Sequence, residues 1–274
     1  MRVRVISGLI VGAAVILILL SGREIFDVAC ALIAVAAVHE FFNAFAQKGF
    51  KPLRFMEWVA CACILLGSIE FWDRHIWRWL LNIIFFIDIR FLLYCSLILM
   101  FCFLIFGKGR RSVADLSVTI LGTFYVCFLF WYLVLLRNLR FGELAVWFVA
   151  LGAVATDTFA LIIGTSFGRH KLIPSISPKK TVEGAVGGAL ACVAVFFLYG
   201  LLFNRIAYEI PLWKYLLMGI TCGLTAQIGD LAASAIKRYC GIKDFGTLMP
   251  GHGGILDRLD SVLVLSPLIY FWLL

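Results

Sequence analysis

Long apolar stretches separated by short polar segments fill most of this chain. A transmembrane helix needs about 20 apolar residues, because each residue adds about 1.5 Å of rise and the hydrocarbon core is about 30 Å thick. The stretches that approach or reach this length lie near residues 5–20, 26–46, 55–72, 91–106, 116–136, 144–163, 182–203, 212–236 and 258–274. The pattern predicts an all-α polytopic integral membrane protein with about nine transmembrane helices, forming a single membrane domain over residues 1–274.

Residues 73–87 depart from this pattern. Arg74, Arg78 and Asn82 recur every four residues, so a helix would place them on one face and the neighbouring apolar residues on the other. With several tryptophans nearby, the segment is typical of an amphipathic helix in the membrane interface. An additional short span is the alternative, and it would invert the topology of everything that follows.

Composition and charge narrow the class of protein. The chain is 63% hydrophobic and 15% charged, which excludes a soluble globular domain, a secreted disulfide scaffold and a collagen. The net charge of +8 favours anionic partners. With a cytosolic N-terminus, roughly two thirds of the Lys and Arg residues fall in inside segments, as the positive-inside rule requires. We therefore expect the loops 164–181 and 237–258 to face the cytosol, most simply from a bacterial inner membrane, and the C-terminus to lie outside.

Two acidic residues lie within apolar stretches, where an ionisable group is costly and is a candidate for function. Asp157 and Asp230 each stand seven residues before the cytosolic end of their predicted span, which corresponds to a depth of roughly 10 Å. Residues 1–140 are thus interpreted mainly as scaffold, and residues 144–274 as the catalytic part.

Asp257 and Asp260 extend this group of carboxylates. Asp260 is followed by only 14 residues, too few to cross a bilayer from its surface, so the last helix should begin below the cytosolic surface. Carboxylates without His or Cys ligands favour Mg²⁺. For any one of the four acids, a structural pair with Lys or Arg is the alternative. For His39 and Glu40, in the second stretch, a functional role and a satisfied core pair are equally supported.

The two predicted cytosolic loops carry the candidate phosphate-binding residues. The segment "GRHKLIPSISPKKTVEG" combines Lys171, Lys179 and Lys180 with the hydroxyls of Ser177 and Thr181. A glycine-rich helix start follows, whose free N–H groups and dipole favour anions. An ordinary basic loop is the alternative for this segment. In the second loop, acids and cations surround His252, Gly253 and Gly254. The chain contains neither a P-loop nor a GxGxxG fingerprint, so its phosphate chemistry is not that of a soluble NTPase.

The second loop follows the pattern S-x-x-K-R-x4-K-D-x-G-x4-P-x-H-G-G-x-x-D-R-x-D, which resembles the signature of the phosphatidate cytidylyltransferase family. The matching residues are Ser234, Lys237, Arg238, Lys243, Asp244, Gly246, Pro250, His252, Gly253, Gly254, Asp257, Arg258 and Asp260. Met249 is a conservative apolar departure from the pattern. The upstream "TDTFA" and "SPKKTVEG" segments also resemble the family, so the similarity covers at least residues 156–261.

The resemblance implies an enzyme of phospholipid biosynthesis that makes CDP-diacylglycerol and pyrophosphate from CTP and phosphatidic acid with Mg²⁺. It implies metal ligation by Asp230, Asp257 and Asp260, with Asp157 as a further candidate, and four acids leave room for a second cation. Lys237 and Arg258 are expected to be catalytic. Substrate contacts are expected from Ser177, Lys179, Lys180, Thr181, Ser234, Arg238, Lys243, Asp244, His252, Gly253 and Gly254. The resemblance also suggests a homodimer within membrane lipid, and no nucleic acid partner is expected.

Two other functions are compatible with the residues. A related CTP-dependent enzyme could act on another lipid, such as an ether-lipid phosphate or a prenol. An ion-coupled transporter would also carry intramembrane acids. The concentration of phosphate-binding features in cytosolic loops, without inverted repeats, favours an enzyme.

Overall fold

A computed structural model of the chain describes residues 2–69, 89–107, 109, 111–249 and 253–274. These residues are mostly helical. The helices are α1 (Arg2–Leu20), α2 (Arg23–Gln47), α3 (Met56–Ile69), α4 (Ile89–Phe106), α5 (Val113–Gly122), α6 (Leu129–Arg137), α7 (Gly142–Phe167), α8 (Val182–Ile206), α9 (Leu212–Cys240) and α10 (Leu256–Leu273). A π-helical turn, Thr123–Phe128, joins α5 to α6 in one continuous segment, and two short strands, β1 (Lys171–Ile173) and β2 (Ser177–Thr181), precede α8.

The helices follow the predicted apolar stretches, which confirms an all-α integral membrane protein. Five helical segments are long and apolar enough to cross a membrane, namely Arg23–Gln47, Val113–Arg137, Gly142–Phe167, Val182–Ile206 and Leu212–Cys240. The count of nine spans stays a prediction. The amphipathic helix predicted at 73–87 lies outside the described residues.

The described residues form two compact units, Met1–Val134 with Phe245–Leu256, and Leu135–Asp244 with Asp257–Leu274. We refer to them as the first unit and the second unit. The division between scaffold and catalytic part that the sequence suggests stays a prediction.

The core of the first unit is built on the aromatic end of α2. Phe41 and Phe42 are fully buried and pack against Gly122, where any larger residue would overlap their rings. Phe41 also stacks on Phe245, with ring centroids 6.2 Å apart. The loop after α2 is tied to α5, because the Leu53 backbone N–H donates to the Thr119 hydroxyl over 3.0 Å. Phe245, Gly246 and Gly254 therefore pack against α2 in this unit.

Small residues bring α7, α8 and α9 together in the second unit. Gly188 of α8 lies against the Thr156 carbonyl of α7, and Gly223 of α9 lies against Ala189 of α8. Glycine at such contacts lets helix backbones approach closely inside a membrane. The last helix, α10, runs antiparallel to α9, since Gly229 packs against Val264 while the Trp272 indole N–H donates to the Thr221 hydroxyl over 3.2 Å. The acidic start of α10 thus lies beside the C-terminal half of α9.

The segment 164–181 is more ordered than the loop expected from the sequence. Helix α7 continues to Phe167, and β1 and β2 then pair as an antiparallel hairpin with Lys171 opposite Thr181. The two prolines of this segment lie in the turn and on β2, positions that an edge strand tolerates. The hairpin delivers β2 directly into the N-terminus of α8.

Candidate active site

A cavity of about 540 Å³ lies in the second unit, between α7, the hairpin, α8 and α9. This volume is within the range of small-molecule sites. Six residues predicted from the sequence line it, namely Asp157, Lys171, Lys179, Lys180, Thr181 and Asp230. The structure therefore brings residues of the "SPKKT" segment and the two intramembrane acids to one cavity.

An ion pair joins two sides of the cavity. The Lys180 ammonium contacts the Asp230 carboxylate, and both side chains are 27% exposed. Asp157 interacts electrostatically with this pair, being repelled by Asp230 and attracted by Lys180. The cavity wall thus carries two neighbouring carboxylates and one lysine, which offsets part of their negative charge.

The mouth of the cavity is basic. Lys171 of β1 and Lys179 of β2 also line it, and both are exposed. Because Lys180 follows on the same strand, three ammonium groups border a single space. Such a border attracts polyphosphates and lipid phosphates through long-range electrostatics.

Thr181 connects this border to α8. Its hydroxyl accepts a hydrogen bond from the Gly184 backbone N–H over 3.1 Å, so Thr181 is the N-cap of the helix. The side chain is buried between Gly164, Gly168 and Gly184. Its role in the structure is to fix the end of β2 and hence the position of Lys179 and Lys180.

The start of α10 adds a second, buried ion pair. The Lys237 ammonium donates to Asp257 Oδ1 over 2.7 Å, with side chains 11% and 2% exposed. Lys237 lies near the end of α9, two turns after Asp230. The sequence predicted the basic and acidic residues of this region but could not pair them.

Asp260 lies close to the acids of the cavity. Its carboxylate accepts a hydrogen bond from the Ser261 backbone N–H over 2.8 Å and is repelled by both Asp230 and Asp157. The Ser261 hydroxyl lies within hydrogen-bonding reach of Asp157, and Arg258 attracts the same carboxylate. Carboxylates from α7, α9 and α10 therefore interact with one another at one end of the second unit.

These carboxylates fit Mg²⁺ as a partial set of ligands. Among the described residues, no group of three His, Cys, Asp or Glu side chains is arranged to hold a metal ion by itself. Mg²⁺ is usually bound by one or two carboxylates, several waters and substrate phosphates rather than by a complete protein cage. Three mutually repelling carboxylates beside a basic cavity match that mode of binding.

The other residues of the second unit that were predicted as site residues lie on the hairpin, on α9 and just after α9. The Arg238 guanidinium donates to the carbonyls of Ile176, over 3.4 Å, and Ile242, over 3.2 Å, so it ties the hairpin turn to the end of α9. Ser177 begins β2, Ser234 lies one turn after Asp230 on α9, and Lys243 and Asp244 are exposed beyond α9. Their roles in substrate binding stay predictions.

Gly253 and Gly254 belong to the first unit, where they are organised by Glu40. The two carboxylate oxygens of Glu40 accept hydrogen bonds from the backbone N–H groups of Ile255, over 3.1 Å, and Leu256, over 3.0 Å. A side chain at Gly254 would overlap the Glu40 carboxylate. His39 instead pairs with Glu57 over 3.1 Å. His252 lies outside the described residues.

Sequence reasoning missed two residues of the site. Gln227 lines the cavity, and Ser261 lies between two of the acids. Gln227 offered a signal, because it is an uncharged polar side chain within an apolar stretch, three residues before Asp230. Ser261 is an ordinary helix residue whose importance depends on neighbours that are distant in the sequence.

Comparison with known proteins places the chain in a family. A model of the cytidylyltransferase family matches residues 2–274. A phosphatidate cytidylyltransferase of Staphylococcus saprophyticus is 33% identical over 274 residues, covering 98% of this chain and 97% of that protein. Phosphatidate cytidylyltransferase 5 of Arabidopsis thaliana, a chloroplastic protein, is 33% identical over 297 residues, covering 97% of this chain and 70% of that protein.

A further relative is more limited in extent. The phosphatidate cytidylyltransferase of Bacillus subtilis is 34% identical over 179 residues, which is 65% of each chain. The match of the family model over nearly the whole length, together with these relatives, confirms the resemblance seen in the sequence. The chain belongs to the cytidylyltransferase family.

Proposed function

We propose that this membrane enzyme is a phosphatidate cytidylyltransferase, which transfers the cytidylyl group of CTP to phosphatidic acid and releases pyrophosphate. The observation that carries the proposal is the cavity of the second unit, in which three lysines border two carboxylates among apolar helices. A soluble nucleotide and a membrane lipid must meet in such an enzyme, and both bring phosphate groups. The names of the relatives support the same activity.

The chemistry requires two anions to approach each other. An oxygen of the phosphatidate phosphate attacks the α-phosphorus of CTP in line, and the bond to the pyrophosphate oxygen breaks. A phosphate monoester has a second pKa of about 6, so the nucleophile is already largely ionised at neutral pH and needs no general base. The protein's task is therefore positioning and neutralisation of charge.

The lysines of the hairpin are suited to that task. Lys171 and Lys179 border the cavity and would hold phosphate oxygens, while Lys180 would exchange its contact with Asp230 for a contact with substrate. Lys237 holds Asp257 in place through the buried pair, and Arg258 attracts the Asp157 carboxylate. Arg238 fixes the hairpin turn and so positions these lysines indirectly.

Asp230, Asp257 and Asp260 would hold Mg²⁺, with Asp157 as a further ligand, and the four acids leave room for a second cation. When bound, the ion would offset the charge that develops on the departing pyrophosphate. The protein's own groups set its place, because Lys237 and Lys180 each hold one of the acids.

We further propose that the nine helical stretches all span the membrane, with the N-terminus and the loops 164–181 and 237–258 in the cytosol. We also propose that the protein lies in a bacterial inner membrane and forms a homodimer. The five long apolar helices support membrane insertion, and the basic residues of the hairpin support a cytosolic position for it.

A double-label assay tests the function. Purified protein is given CTP labelled on either the α- or the γ-phosphorus, with Mg²⁺ or EDTA, and phosphatidic acid, an ether-lipid phosphate or a prenol as acceptor. We expect the α-label to enter lipid with phosphatidic acid, the γ-label to appear in pyrophosphate, and EDTA to abolish both. Entry of the γ-label into lipid would indicate a kinase, preference for another acceptor would reassign the substrate, and absence of labelled lipid would contradict the proposal.

A further inference from the structure

Gln227 is the polar residue of the cavity whose hydrogen bonds are most completely determined. It lies on α9, one turn before Asp230, and it lines the same cavity. Its side-chain Nε2 donates to the Ala185 carbonyl of α8 and to the Gly223 carbonyl of α9, each over 2.9 Å. Both N–H groups of the amide are thereby used.

These contacts fix which way the amide is turned. A glutamine amide can usually be placed in either of two orientations, because its oxygen and nitrogen look alike. Here both partners are backbone carbonyls, which only accept hydrogen bonds, so the nitrogen must face them. The oxygen, Oε1, is consequently held in one position, and in the described part of the chain it has no hydrogen-bond partner.

A fixed acceptor in a cavity selects ligands that carry a hydrogen-bond donor. Of the two substrates in the proposed function, phosphatidic acid offers phosphate and ester oxygens, which accept hydrogen bonds. CTP offers the 4-amino group of cytosine and the two ribose hydroxyls, which donate them. Gln227 lies one helical turn, roughly 4.5 Å, along α9 from Asp230, on the side away from Lys237. When the lysines hold the phosphates of CTP, its nucleoside therefore lies on the Gln227 side of the cavity.

We infer that Gln227 is a specificity-determining residue that accepts a hydrogen bond from a donor of the CTP nucleoside, either the cytosine amine or the ribose 2′-hydroxyl. The inference rests on the proposed function and adds to it a means of nucleotide selection. A site built around a fixed hydrogen bond rejects analogues that lack the matching group, because its own polar atom is then left unpaired. UTP has a carbonyl oxygen where CTP has the amine, and that oxygen would repel Oε1.

The test compares nucleotides in a variant that keeps the shape but loses the acceptor. We expect Gln227→Met to lower kcat/KM for CTP about tenfold while changing the poorer analogue little, as the loss of one hydrogen bond implies. If the ratio of CTP to UTP falls, the donor is the amine, and if the ratio of CTP to dCTP falls, it is the 2′-hydroxyl. If both ratios match those of the wild type, the inference is wrong.

A matched control separates recognition from the helix–helix contact that Gln227 also makes. Thr221→Val removes another hydrogen bond of α9, the one from Trp272, at a residue away from the cavity lining. It should cost comparable stability and leave both nucleotide ratios unchanged. An equal loss of selectivity in Thr221→Val would show that the effect is structural. Gln227→Asn, which withdraws the amide by one methylene group, replaces the methionine variant if that one fails to accumulate.

A second measurement keeps this inference distinct from the proposed function. Thermal stabilisation of the protein by CTP, UTP and dCTP gives the same ratios without turnover. If wild-type protein produces no labelled lipid but still prefers CTP in this measurement, and Gln227→Met abolishes the preference, only the proposed reaction fails. If labelled lipid forms and the preference survives in the variant, only the role of Gln227 fails.

Discussion

At the scale of single residues, two acids of the second unit are each paired with a lysine. Lys180 contacts Asp230, and Lys237 contacts Asp257 in a largely buried pair. A buried pair contributes little net stability, because removing both charges from water costs about as much as their attraction gains. Removing one partner is far more costly than removing both. These pairs are thus better understood as a way of orienting carboxylates than as a source of stability.

This asymmetry leads to a prediction for Lys237 and Asp257. Lys237→Met should destabilise the protein by about 3–5 kcal/mol, because it removes the cation that is paired with a buried carboxylate. The double variant Lys237→Met with Asp257→Leu should recover much of that loss and still be inactive. Thermal unfolding in detergent, measured alongside CTP turnover, checks both statements.

Asp257→Asn separates charge from shape at the same position. It keeps an oxygen that can accept from Lys237 and should remain folded and inserted in the membrane, but it should abolish activity. Near-normal turnover of CTP in this variant would refute the assignment of Asp257 as a metal ligand. For the double variant described above, a loss of stability equal to the sum of the losses from Lys237→Met and Asp257→Leu would refute the interpretation of the pair.

The sequence was sufficient to select Asp157 and Asp230, because ionisable residues within apolar stretches are unusual. It could not show the partners of the acids, since an ion pair depends on the rotation of two helices about their axes. The same holds for Glu40, whose backbone partners lie more than two hundred residues along the chain. Its role therefore remained open until the structure brought α2 to the Gly253–Gly254 segment.

At the scale of elements, Glu40 supports the start of α10. Its carboxylate accepts the N–H groups of Ile255 and Leu256, which the first turn of a helix cannot satisfy internally. A negative charge at a helix N-terminus is also favourable for the helix dipole. Glu40 therefore completes the hydrogen bonding of the backbone at Ile255 and Leu256 within the first unit.

Gly254→Ala tests this arrangement. The added methyl group would overlap the Glu40 carboxylate, so we expect a loss of about 1–3 kcal/mol, as for other overpacked sites, and faster hydrogen exchange at Ile255 and Leu256. Gly12→Ala is the matched control, because Gly12 lies in α1 with open space around it. Equal melting temperatures for the two variants would show that the Glu40 contact does not depend on the glycine.

The hairpin shows where element prediction from the sequence failed. Two prolines and several polar residues indicated an irregular loop over 164–181. Three residues of β1 and five of β2 are too few to produce a clear alternating pattern, and their pairing depends on the turn between them. The basic residues of the segment were predicted, but their arrangement on one strand was not.

At the scale of the whole molecule, the apolar stretches of the sequence predict an all-α membrane protein, but they do not fix the number of transmembrane helices. The stretch 116–136 forms one continuous segment despite its π-helical turn, and it is long enough to cross a membrane. Helix α3 is described over 14 residues, up to the edge of the described part of the chain, and α10 has 18, so length alone does not decide whether they cross. The sequence leaves the same question open for residues 73–87.

A pair of inserted tags tests the topology. One tag follows Gly49, an exposed residue with positive φ before α3, and the other follows Ser175 in the exposed hairpin turn. If residues 73–87 lie in the interface, both tags should be protected from protease added outside intact cells. Protection of only one tag would indicate an additional span between them and would contradict the proposed count.

The contact between Lys180 and Asp230 has a consequence for how substrate affinity should respond to salt. A lysine that already has a carboxylate partner gains little when a phosphate replaces that partner, since one attraction is exchanged for another. The exposed Lys171 and Lys179 instead give up only water and loosely held counterions. The ionic-strength dependence of CTP binding should therefore come mainly from these two outer lysines, and Lys180 would decide where the phosphate stops rather than how strongly it is drawn in.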